Sequence, residues 1–144
     1  MKILILIVIT LLSLQAQSLK DIKFDNVIVD EVTSIYDGDT FRVNINSYPK
    51  VIGYRMAIRV NGIDTPEIKG KCKKEKTLAR KAKQITVSSL RGAKVIELRN
   101  IQRGKYFRIV ADVYVDDKSL ADLLIQDNLA VRYDGGAKIK DWCK

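Results

Sequence analysis

Two short acidic segments and two arginines hold most of the chemical capacity of this sequence. Asp37-Gly38-Asp39-Thr40 and Asp64-Thr65-Pro66-Glu67 each place carboxylates at a chain reversal, while Arg59 and Arg108 sit inside runs of alternating apolar residues. Carboxylates at the ends of two extended segments can converge on one hard cation, and Ca2+ takes oxygen ligands of this kind. Each piece also has a plainer reading. An Asp-Gly-Asp run is a common hairpin turn. Asp64-Thr65-Pro66-Glu67 ends a strand, because Pro cannot continue a ladder. Arg59 can be an exposed sheet residue, and Arg108 can guard an edge strand against aggregation.

The sequence contains no His. That removes Ser-His-Asp hydrolases, His-dependent phosphodiesterases, His-metal nucleases and ordinary zinc hydrolases together. Acid–base chemistry must come from carboxylates, Tyr, Lys or metal-bound water. The formal net charge of +9 favours a polyanionic partner, either nucleic acid or an anionic membrane surface. The basic residues are spread over 69–83, 99–108 and 138–144 with no dense arm, so a solvated basic face explains the charge equally well.

The elements that must position these residues follow from hydrophobic patterning. Residues 27–36, rich in Val, Ile and Thr, predict a strand that ends in the Asp37-Gly38-Asp39 turn, where Gly supplies a positive φ cheaply. Residues 40–45 alternate, with Phe41, Val43 and Ile45 on one face. A loop over 46–53, containing Pro49, leads to a third strand over 54–63, with Met56, Ile58 and Val60 facing one way and Ala57 and Arg59 the other. The period then changes: Leu78, Ala82, Ile85 and Ser89 recur at helical spacing within 73–90. Strands over 93–98 and 106–115 are joined by a turn near Gly104, and Asp116-Asp117 ends the second. Ser119 caps a short helix running to Gln126, with Asp122 at the third position, and 129–133 is a last extended piece. The order describes an α+β, mainly β fold: a five-stranded OB-type barrel with a helix between strands three and four and a second short helix.

At 144 residues, 47% of them hydrophobic, the chain suits one domain with a real core. Met1 and Lys2 precede an aliphatic run over 3–12, and 13–18 turns small and polar around Ala16. That layout predicts a secretory signal peptide over 1–18 and a single domain over 19–144, secreted or periplasmic; an uncleaved anchor is the alternative, but the apolar run is short for a membrane span. In an exported chain the isolated pair Cys72 and Cys143 is most economically a disulfide, tying the loop before the first helix to the C-terminus.

Taken in order, Asp37-Gly38-Asp39-Thr40, then Arg59 five positions ahead of Asp64-Thr65-Pro66-Glu67, then Lys105-Tyr106-Phe107-Arg108, the sequence resembles the staphylococcal nuclease (thermonuclease) family over about 32–133. The resemblance implies a calcium-dependent endonuclease that hydrolyses DNA and RNA on the 5′-oxygen side and leaves 3′-phosphate ends. It implies Asp39 and Asp64 as carboxylate ligands of Ca2+, with the main-chain carbonyl of Thr65. Glu67 would orient or deprotonate the attacking water, and Arg59 and Arg108 would hold the phosphate. Guanidinium suits that task because its fork matches two phosphate oxygens and keeps its proton near neutral pH. Lys105, Tyr106 and Tyr133 would line the nucleotide pocket, where stacking tolerates any base. No stable protein partner is implied, and a monomer is expected, free of the membrane once the signal is removed. The chain departs from the pattern in a longer stretch between Asp39 and Arg59, a shorter route from Glu67 to the helix, Phe107 in place of Gly, and a tail too short for a final long helix. Two rival classes are a non-catalytic OB-fold module that grips nucleic acid and a basic protein that binds envelope polyanions.

Overall fold

The computed structural model describes residues 24–144; the expected signal peptide lies outside the described residues. The sheet runs through β1 (Val27–Ile28), β2 (Glu31–Ile35), β3 (Thr40–Asn44), β4 (Met56–Val60), β6 (Ile96–Gly104), β7 (Arg108–Val115) and β8 (Lys118–Ser119). Its order is β1-β6-β7-β4-β3-β2, with β8 added on β7. β5 (Ile63–Asp64) pairs separately with β9 (Val131–Arg132). Three helices accompany them: α1 (Lys50–Gly53), α2 (Lys73–Gly92) and α3 (Leu120–Gln126). The five longest strands, β2, β3, β4, β6 and β7, carry the expected OB-type arrangement, with α2 between the third and fourth.

Residues 27–36 are not one strand, and the break is what curls the sheet. β1 pairs with β6, setting Val27 opposite Leu98, whereas β2 pairs with β3. Between them, the N–H of Val29 donates to Ile96 (2.9 Å) and that of Asp30 to Asn44 (3.0 Å), so the chain changes partner within two residues. The two ends of the sheet order are thus adjacent pieces of one segment. Inside the curl pack Phe41, Val43, Ile45, Ile58, Val60, Leu98 and Val113, together with Leu120 and Leu124 of α3.

Further features differ from expectation. The strand expected over 54–63 is split: β4 covers Met56–Val60, and Ile63 leaves the main sheet to begin β5 beside β9. The 46–53 loop contains α1, started by Pro49, whose fixed φ suits a helix entry. Residues 93–95 are not strand, whereas β6 continues to Gly104 and turns through Lys105, Tyr106 and Phe107 into β7. Tyr106 and Phe107 both take positive φ there, 59° and 52°. The buried stripe of α2 is Glu75, Ala79, Ala82, Thr86 and Leu90; Ala82 was expected, while Leu78 and Ile85 flank the stripe and are only partly buried. Ser119 caps α3 as expected, accepting the N–H of Asp122 at 3.2 Å. Among the described residues, no helix is long and apolar enough to cross a membrane.

Candidate active site

Strand register assembles the site. β3 and β4 pair so that Thr40 lies opposite Arg59, and the Asp39 carbonyl accepts the N–H of Val60 at 2.8 Å. The parallel pairing of β4 with β7 sets Ala57 against Arg108 and Arg59 against Val110. Side chains alternate along a strand, so Arg59 and Arg108 rise on the same face of neighbouring strands while Ile58 and Ala111 enter the core. β5 brings Asp64 to this face, and the Arg59 guanidinium donates to the Ile63 carbonyl at 3.2 Å.

Helix α2 clamps the Asp37-Gly38-Asp39 turn from behind. Thr86 Oγ1 donates to the Gly38 carbonyl at 2.7 Å. A Cβ at Gly38 would stand 2.8 Å from the Ala82 Cβ and 3.2 Å from Thr65 Cγ2. Gly38 is required here by the close approach of the helix; the positive-φ glycines are Gly62 and Gly135. Gly38→Ala is therefore expected to cost about 1–3 kcal/mol through overpacking against the Ala82 Cβ, which has no rotamer to move away, and the Thr65 side chain. Urea unfolding of the two proteins checks this, and an unchanged midpoint would contradict it.

The carboxylates are buried and unequally satisfied. Asp39, 1% exposed, ion-pairs with Arg59, and its oxygens also accept the hydroxyls of Thr40 and Thr65, each at 2.9 Å. Asp64, 3% exposed, has its Oδ1 at 2.8 Å from Lys138 Nζ and 3.9 Å from the Arg59 guanidinium. The first is an ion pair without hydrogen-bond alignment and the second is long, so among the described residues buried Oδ1 accepts no well-formed hydrogen bond. Its other oxygen faces the Trp142 indole N–H at a long 3.5 Å. Burial, and then repulsion from Asp39, push the Asp37 carboxyl up to about 7. The cluster thus carries more carboxylate than Arg59 alone can neutralise.

Asp39, Arg59, Thr65, Glu67, Arg108 and Tyr133 line one cavity of about 420 Å³. Arg108 Nε is buried and has no hydrogen-bond partner among the described residues. Lys105 and Tyr106 are outside the lining, exposed on the turn into β7, with the Tyr106 ring 6.0 Å from the Arg108 guanidinium. Tyr133 donates its hydroxyl to the Gly136 carbonyl at 2.6 Å. A second cavity, of about 380 Å³, is lined mainly by apolar residues such as Ile52, Met56 and Phe107 and contains no carboxylate.

Glu67 is held from two sides. The carboxylate of Glu75 accepts the N–H groups of Glu67 (3.3 Å) and Lys71 (2.8 Å), fixing the loop that carries Glu67. From the solvent side Lys138 Nζ donates to Glu67 Oε1 at 2.7 Å. That bond and the Lys138 charge hold the Glu67 pKa below the ordinary carboxylate value. Burial disfavours the charge on Lys138, but contact with Asp64 and Glu67 outweighs it and raises the pKa above the ordinary lysine value. Cys72 and Cys143 form the expected disulfide, with Cα atoms 6.0 Å apart. Glu75 approaches both sulfurs, but these are committed to each other, so that trio is not a metal site.

Sequence reasoning missed Glu75, Lys138 and Trp142. Glu75 had a signal, since it stands three residues after the N-cap Cys72 in the capping-box spacing. Lys138 and Trp142 had only an indirect one: the expected Cys72–Cys143 bridge brings the tail to the loop that carries Glu67, but nothing in the sequence says which tail residues then face the carboxylates.

An OB-type barrel presenting buried carboxylates and two arginines on one face defines the class of this protein. Residues 57–141, more than half of the chain, match the staphylococcal nuclease homologue family, and the protein belongs to it. The family is generally one of nucleases, typically metal-dependent, acting on nucleic acid. The match holds Arg59, Asp64, Thr65, Glu67 and Arg108; Asp39 precedes it and joins them through the β3–β4 register. No curated protein gives a significant match.

Proposed function

We propose that this protein is a calcium-dependent phosphodiesterase that hydrolyses DNA and RNA and leaves 3′-phosphate ends. The observation that carries the reading is one cavity shared by the buried carboxylates of Asp37 and Asp39 and by Arg108, whose buried Nε has no partner among the described residues; Asp64 is not among its lining residues. A buried donor without a partner costs about 1–3 kcal/mol. A phosphate oxygen would satisfy it.

The donor set fits a hard cation: carboxylates and a main-chain carbonyl, with one buried Asp64 oxygen accepting no hydrogen bond. Asp39 and Asp64 would hold Ca2+, with the Thr65 carbonyl. When bound, Ca2+ supplies Lewis-acid and template chemistry at a phosphoryl oxygen. The chain's own groups do the rest. Arg59 and Arg108 grip the phosphate and stabilise charge growing on its oxygens. Glu67, on its fixed loop, orients the attacking water and takes its proton. Tyr133, with Lys105 and Tyr106 at the rim, receives the nucleotide by stacking and charge. Residues 1–18 act as a signal peptide ahead of a nuclease domain over 19–144, and the Cys72–Cys143 bridge fits an oxidising compartment.

The test is digestion of single- and double-stranded DNA and RNA with Ca2+ or with a chelator. Cleavage with Ca2+ that stops on chelation is expected, as is loss of both cleavage and Ca2+ binding in Asp39→Asn and Asp64→Asn. Binding of nucleic acid without cleavage in either condition would make the protein a binding module instead.

A further inference from the structure

The chain past β9 is not a loose end. Its start is pinned by the Tyr133 hydroxyl on the Gly136 carbonyl and by Asp134 Oδ1, which accepts the Gly136 N–H at 3.0 Å. Its end is pinned by Cys143 on Cys72, by buried Trp142 against Asp64, and by Lys74 on the Lys144 carbonyl. The stretch between these anchors carries Lys138, whose ammonium lies 2.8 Å from Asp64 Oδ1 and 2.7 Å from Glu67 Oε1.

We propose that Lys138 is a built-in competitor for the cation site, an ammonium that a divalent ion must displace before it can take the Asp64 oxygen. The inference rests on the reading of Asp39 and Asp64 as cation ligands. Its force is geometric and electrostatic. The Asp64 oxygen that Lys138 approaches is the one carboxylate oxygen of the cluster that is buried and accepts no hydrogen bond. Cation and ammonium therefore draw on the same atom. A divalent ion at ligand distance from it, about 2.3–2.6 Å, leaves no room for an ammonium at 2.8 Å and repels its charge. The Lys138 side chain is 44% exposed, so it can swing into solvent without disturbing the core. The same movement releases Glu67 from its ion pair, so binding of the cation and liberation of the proposed base become one event. Lys138 would set how much cation the enzyme needs, and the disulfide, by holding the tail, would keep the competitor close at hand.

Isothermal calorimetry with Ca2+ alone tests this on wild type, Lys138→Met, Lys138→Arg and Asp64→Asn. Met keeps the length and apolar stem but loses the charge. Lys138→Met should bind Ca2+ roughly five- to tenfold more tightly than wild type, while Lys138→Arg, still cationic, stays near the wild-type affinity. Melting curves should leave both Lys138 variants within a few degrees of wild type. Equal or weaker binding by Lys138→Met, with Asp64→Asn still impaired, overturns the competitor and leaves the metal site standing. Wild-type binding by Asp64→Asn overturns both.

Discussion

Glu67→Gln, Arg59→Lys and Arg108→Lys should each lower turnover on single-stranded DNA by at least about 100-fold, the scale of losing one preorganised transition-state donor. The three variants attack different functions. Gln keeps the size of Glu67 and can still accept from the Lys138 ammonium through its amide oxygen, but it cannot take a proton from water. Lys keeps the charge of either arginine but offers a point charge where the phosphate needs a planar fork. Arg108 is the cleaner of the two arginines, because its Nε is buried with no partner among the described residues and so is not committed to the fold. Arg59 also neutralises buried Asp39, and removing that charge altogether would leave a costly unpaired carboxylate. Arg59→Lys avoids this, and thermal melts will show whether it does. Single-turnover rates at saturating Ca2+ separate chemistry from binding. Near-normal rates in all three would dismantle the mechanism.

The site was legible in the sequence to the extent that it lies on strands. Period-two patterning placed Met56, Ile58 and Val60 inward and Arg59 outward, and the ordered acidic and basic segments marked which outward residues to join. Pairing register did the joining, and register is a property of two strands that no single segment displays. The misplaced boundaries share a physical cause. β6 runs past Leu98 through Arg99, Asn100, Ile101, Gln102 and Arg103; only Ile101 of these is buried, and the register shift between Arg99 and Gln102 puts it out of step with Ile96 and Leu98, so no period-two pattern betrays the extension. The α2 stripe shifted because two of its buried members, Glu75 and Thr86, are polar and serve the site by holding the Glu67 loop and the Gly38 carbonyl. A hydrophobicity pattern discounts such residues. The break near Asp30 was hidden because Val, Ile and Thr lie on both sides of it, and only the change of partner strand reveals it.

Reduction of Cys72–Cys143 should lower the free energy of unfolding by up to about 4 kcal/mol, the chain-entropy value for a closed loop of this length, with the 71-residue separation in the sequence setting its size. The tail explains why so large a fraction should be realised. Residues 134–144 form no helix or strand, and Trp142 is the only tail residue buried in the body of the protein. Without the bridge, one indole and a few exposed contacts, chiefly the ion pairs of Lys138 with Asp64 and Glu67, must hold the segment against the entropy of some ten ordered residues, at about 1–2 kcal/mol each. That balance fails, and the tail should leave with Trp142. Denaturation of oxidised and reduced protein, with Cys72→Ser/Cys143→Ser as a control free of reductant, measures the loss. Trp142 is the one tryptophan in the sequence. Its fluorescence therefore reports the tail directly: emission should shift to the red on reduction at denaturant concentrations where the barrel is still folded by circular dichroism. Two titratable thiols in denatured, unreduced protein would show that the bridge does not form. An unchanged unfolding midpoint on reduction would show that the tail is held by packing, and that the disulfide only records its position.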